Sequence, residues 1–127
     1  MANINESQKR ELKRLFEENG LTKDDVFNHK HYVIIKRSGI EKIQYRNEIK
    51  VHFEVVRCEQ DWACVKAIGK TDDTEIETFG SATPKNCHNP HYLEMAEKRA
   101  LSRVVLKLCN LYEHGVFGED ENIDHER

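Results

Sequence analysis

Apolar positions recur along this chain with two different spacings. Ile49, Val51, Phe53 and Val55 alternate with Lys50, His52 and Glu54, the period of two that a half-buried strand requires. Glu59-Gln60-Asp61 reads as a turn, and Trp62–Ile68 as a second strand with Ala63, Val65 and Ala67 on one face. Gly69–Asp73 makes the next turn. Thr74–Phe79 alternates again, with Gly80 expected to end it. Three strands joined by short turns predict an antiparallel meander.

The period then changes to that of a helix. Asn89 is the expected N-cap and Pro90 the first helical residue. Leu93, Ala96, Ala100, Leu101, Val104, Leu108 and Leu111 form one apolar stripe. Gly115 is the expected C-terminal cap, and Val116-Phe117-Gly118 is expected to tuck against the body.

Upstream, Asn3 and Glu6 have capping-box spacing, and Leu12, Leu15 and Phe16 follow on one helical face as far as Asn19-Gly20. Thr22 is read as the cap of a second short helix over Lys23–Asn28. Two short helices around a tight turn invite a helix-turn-helix reading, but Asp24 and Asp25 would repel phosphates there. A packing hairpin that caps the sheet is the alternative. His31–Lys36 reads as a strand that Gly39 breaks, and Ile40, Ile43 and Gln44 as one or two helical turns. The expected fold is α+β in two layers. A three-stranded antiparallel β-meander is followed by a long packing helix (β-β-β-α), with short N-terminal helices and a strand before it. Residues 1–117 form one domain, and 118–127 an acidic, frayed tail.

Composition narrows the function classes. The chain has 127 residues, 38% hydrophobic and 34% charged, which supports a folded core rather than general disorder. No apolar run approaches a membrane span, and Met1–Glu6 lacks the pattern of a signal peptide; a cytoplasmic location is expected. The net charge of −3 disfavours nucleic acid only on average. Between 29 and 50, Lys30, Lys36, Arg37, Lys42, Arg46 and Lys50 face only Glu41 and Glu48. The acids after Gly118 (Glu119, Asp120, Glu121, Asp124, Glu126) face only Arg127. Local charge sets the field a ligand meets.

Catalytic chemistry has little support. The chain carries no Walker loop, no G-x-S-x-G and no Gly-rich dinucleotide fingerprint. Cys87 with His88 or His91 is a nucleophile–base pair on paper only. Cys58, Cys64, Cys87 and His88 could be drawn as a zinc set, but they lack tight paired spacing, and reduced thiols are the simpler reading. No enzyme activity, cofactor or metal is expected. Binding chemistry is better represented. Arg99 and Arg103 lie one helical turn apart beside Ser102, with Lys107 a further turn on. Lys36, Arg37 and Lys42 precede the meander, and Tyr32, Tyr45 and Trp62 are aromatics able to stack on bases. The plainer reading makes these charges a solvated helix face, paired with Glu94 and Glu97.

The segment Arg99-Ala100-Leu101-Ser102-Arg103-Val104-Val105 resembles the helix after the β-meander in single-strand-annealing recombination proteins. That superfamily includes the eukaryotic Rad fifty-two annealing protein and small phage annealing proteins. The order of elements over residues 30–112 is similar too, and Met95–Ala100 with Val116–Glu121 looks closest to short phage members. The resemblance implies a DNA recombination or repair protein, homo-oligomeric and often ring-forming. Such a protein binds single-stranded DNA in a basic groove between meander and helix and anneals strands without ATP. It implies nucleic-acid-binding roles for Arg103 and Arg99 by motif. Lys107, Lys36, Arg37 and Lys42 join them by location. The alternative function is a non-enzymatic protein-interaction or recombination-accessory module whose acidic tail contacts a basic protein partner.

Overall fold

In a computed structural model, the structure describes residues 6–29, 32–112 and 115–121. The expected capping box at Asn3 and the last acidic residues lie outside them. Helix α1 spans Glu6–Glu18 and ends where Gly20 takes φ 71°, a left-handed value that glycine adopts without strain. Thr22 does cap the next turn. Its hydroxyl accepts from Asp24 N, and its N–H donates to the Asp25 carboxylate. The expected helix, however, stops after one 3-10 turn, Lys23–Asp25. The chain then becomes strand β1, Val26–His29, paired antiparallel with β2, Tyr32–Ile35. Pairing of Val26 and Phe27 with Ile35 and Ile34 outweighs local helical preference, and no helix-turn-helix forms. Helix α2, Arg37–Arg46, runs through Gly39 and buries Ile40 and Ile43.

The meander is as expected: β3 Lys50–Glu59, β4 Trp62–Lys70 and β5 Glu75–Ala82, antiparallel in that order. A bulge shifts the β3–β4 register between Val55 and Arg57. The β4–β5 turn is tighter than expected, Thr71 to Thr74, with Gly69 and Lys70 still in the ladder. Gly80 lies inside β5 and does not end it. A Cβ there would stand 2.3 Å from Ala96 O and 2.4 Å from Ala100 N, far inside contact distance. The glycine is a point of close approach between strand and helix.

Helix α3, Tyr92–Leu108, starts two residues later than expected, because Asn89 Oδ1 accepts from His91 N ahead of the first turn. It ends at Leu108, and the left-handed residue that follows its cap is Asn110, at φ 61°, not Gly115. Ala96, Ala100, Val104 and Leu108 face the meander, where Ala67, Gly69, Gly80 and Ala82 keep the sheet surface low. Thr78 Oγ1 donates to Ala100 O at 2.9 Å across the same interface. Leu93, expected in the stripe, is exposed.

The other side of α3 is covered as well. Ser102, Val105 and Leu106 are buried on that side, where α2 and strand β6, Val116–Gly118, pack. Strand β6 pairs parallel with β2, giving a second sheet ordered β1-β2-β6. Helix α3, expected to pack one apolar stripe on one sheet, is therefore covered on two sides and lies between two layers, with Glu94, Glu97, Lys98 and Lys107 left exposed. Among the described residues, no helix is long and apolar enough to cross a membrane.

Candidate nucleic-acid interface

Arg99 and Arg103 share a local pattern but have different environments. Arg99 is only 4% exposed. Its Nε donates to Asp120 O at 2.7 Å, its Nη1 to Ser81 O at 2.7 Å and Asn86 Oδ1 at 2.9 Å, and its Nη2 to Asn86 O. Burial pushes its pKa down, the neighbouring charge of Arg103 adds to that, and nearby Cys87 and Asp120 oppose it. A guanidinium so enclosed has its donors committed to protein oxygens. This corrects the sequence assignment: Arg99 joins β5, the loop after it and the C-terminal segment, and is not presented to a phosphate. Ser102 is buried too, its Oγ without a hydrogen-bond partner among the described residues.

Arg103 is half-exposed. Its Nη1 donates to Phe79 O at 2.7 Å, which carries the guanidinium over the margin of β5. The Phe79 side chain, on the opposite face of the sheet from α3, is 48% exposed. One turn further along α3, Lys107 is exposed. These two cations lie along the seam between α3 and β5, and the Phe79 ring lies round the β5 edge on the far face of the sheet.

The α2 cations are placed elsewhere. Helix α2 packs on α3 from the side away from the meander, so Lys36, Arg37 and Lys42 do not line a meander–helix groove. Lys42 Nζ donates to Asp25 Oδ2 at 2.7 Å, and Ser38 Oγ to Asp25 Oδ1 at 2.6 Å. Burial alone would raise the Asp25 carboxyl. The hydrogen bonds from Lys42, Ser38 and Thr22, with the charge of Lys42, overcome it and hold Asp25 well below the usual carboxylate range. Arg37 Nε donates to Glu41, and Arg37 N donates to Glu119 Oε1 at 2.8 Å. Lys36 Nζ lies 6.0 Å from the Phe27 ring centre.

The first tail residues belong to the body. Glu119–Glu121 form a 3-10 turn against α3, with Glu119 on Arg37 and the Asp120 main chain on Arg99. Burial, then the charge of Glu119, raises the Asp120 carboxyl, although Lys98, Arg37 and Arg99 oppose the shift. Acidic residues thus stand between the α2 cations and those of α3, which charge counting along the sequence had no means of locating.

The remaining candidates separate. Cys87 is buried and its Sγ donates to Asn89 O, while His88 and His91 are exposed. Among the described residues, no three His, Cys, Asp or Glu side chains converge as metal ligands. Trp62 stays on the solvent face of the meander, with the Arg57 guanidinium 4.5 Å from its ring centre. Tyr45 is exposed beside an open cleft of about 460 Å³ between α2 and Asn19-Gly20, and Tyr32 packs edge-on against Phe117. No family model, curated protein or solved structure matches this chain.

Proposed function

We propose that this chain binds single-stranded DNA along the α3–β5 seam, as a strand-annealing or recombination protein that uses no ATP. The observation that carries the reading is the position of Arg103. The one arginine of the annealing-like motif that is not enclosed sits on the seam, with Lys107 along the helix and Phe79 exposed on the adjoining strand. Arginine and lysine supply sequence-independent phosphate contacts, and a strand that wraps the β5 edge meets the exposed Phe79 ring, on which a base stacks without being read. Such a surface holds a strand loosely and leaves base edges open, as annealing requires. Arg37 and Lys42, already paired with Glu41 and Asp25, contribute less than their charge suggests.

The test is an electrophoretic-shift titration of the full chain with single- and double-stranded oligonucleotides at two salt concentrations. Binding of the single strand should weaken with salt. Arg103→Ala and Lys107→Ala should each reduce the log–log salt slope by about 0.7, one phosphate contact on a single strand. No shift at low salt, or an unchanged slope in the double variant, overturns the reading.

A further inference from the structure

The two edges of the meander are treated differently. Thr71 N donates to Thr74 O across the β4–β5 turn at 2.8 Å, which makes those two residues a hydrogen-bonded pair. Pairs alternate from there along an antiparallel ladder. Gly69, Ala67, Val65 and Ala63 therefore bond to β5, and Phe79 and Ser81 turn their main-chain groups away from β4. Those two carbonyls are the ones Arg103 and Arg99 hold. By the same alternation Lys50, His52 and Glu54 bond to β4, while Val51, Phe53 and Val55 turn theirs to the outer side of β3. Among the described residues, nothing hydrogen-bonds to these three groups on that side.

The side chains of the same three residues are apolar and incompletely covered. Helix α3 lies over β4 and β5 and reaches β3 only at its margin. Val51 and Phe53 are half-buried, and Val55 is 58% exposed. The free run has no proline or inward-pointing charge of the kind that blunts an edge strand, and only the bulge at Val56 ends it.

We propose that the outer edge of β3 pairs antiparallel with β3 of a second copy of this chain, about a two-fold axis at Phe53. This register is self-complementary. On the apolar face Val51 falls opposite Val55 of the second copy, and Phe53 opposite Phe53. On the polar face His52 falls opposite Glu54, and by symmetry this occurs twice. Val51, Phe53 and Val55 each donate their N–H to the facing strand. An axis at Glu54 would set two carboxylates directly opposite, which is repulsive. An axis at His52 would set Val55 against Ile49, which is buried before the strand begins. The contact is isologous, and it forms whether or not the chain binds nucleic acid.

Sedimentation equilibrium of the full chain without DNA, from about 1 µM to about 1 mM, tests it. The mass should move from one chain to two. Val55→Pro removes an outward N–H and leaves the β4 ladder intact, a place where an edge strand accepts proline. It should raise the dimer dissociation constant at least about tenfold, with an unchanged circular-dichroism spectrum. Register is read by oxidation in a Cys58→Ser background. Phe53→Cys should cross-link between copies, because directly facing Cα atoms in a hydrogen-bonded pair lie about 5.5 Å apart, within disulfide reach. Glu54→Cys should not. A monomer across the concentration range, an undiminished dimer in Val55→Pro, or equal cross-linking at 53 and 54 overturns the proposal.

Discussion

Arg99 holds Asn86 at both ends, Nη1 donating to the side-chain oxygen and Nη2 to the main-chain oxygen. The loop between β5 and α3 is thereby fixed by one side chain from the helix it leads into. Arg99→Ala leaves several enclosed carbonyls unpaired and should cost about 3 kcal/mol or more in urea unfolding. Arg99→Lys should recover little, because an ammonium cannot reproduce the planar fork of donors.

Gly80→Ala tests the close approach of β5 and α3. The added methyl meets backbone atoms of Ala96 and Ala100, which cannot swing away as a side-chain tip can. A loss of at least about 2 kcal/mol is expected, read as a lower denaturant midpoint. Gly69→Ala, which meets the Val104 and Leu108 side chains, should cost less.

Asp25 gives a pH dependence with a defined sign. Its carboxyl is held below the ordinary range in the folded chain, so its contribution is complete above about pH 4 and disappears as the pH falls further. Asp25→Asn should lose about 2 kcal/mol at pH 7. Its stability should then change less than the parent's between about pH 4 and pH 2, measured by denaturant melts across that range.

Asp120 has the opposite sign. Burial and Glu119 raise its carboxyl, so the charged form is disfavoured in the folded chain, and folding gains as the pH falls through the raised value. Asp120→Asn keeps the main-chain oxygen that Arg99 uses. It should be more stable than the parent at neutral pH, with the advantage vanishing in acid. Thermal melts at pH 7 and pH 4 read the difference.

The meander and the long helix are legible in the sequence because their apolar periods are set locally. Alternation at Ile49–Val55 and the four-residue recurrence of Ala96, Ala100 and Val104 need no distant partner to be recognised. What escaped reading depends on distant partners. Gly80 looks like a strand terminator until Ala96 and Ala100 are known to lie against it. Val26 and Phe27 look helical after a good Thr22 cap until Ile34 and Ile35 arrive to pair with them. The site divides the same way. Arg99 and Arg103 are interchangeable as a spacing, and only the positions of Ser81, Asn86 and Asp120 decide which one is enclosed. The glutamate expected to lie in a frayed tail, Glu119, caps the start of α2 through Arg37 N.

The guanidinium contacts along β5 carry a consequence for valence. A sheet that offers two open edges can add strands without limit, as fibres do. Here Arg103 and Arg99 hold two outward carbonyls of β5, those of Phe79 and Ser81, so the proposed pairing leaves growth to the β3 edge. On that proposed pairing Arg103 has a second role unrelated to any ligand: with Arg99 it obstructs a further strand on β5.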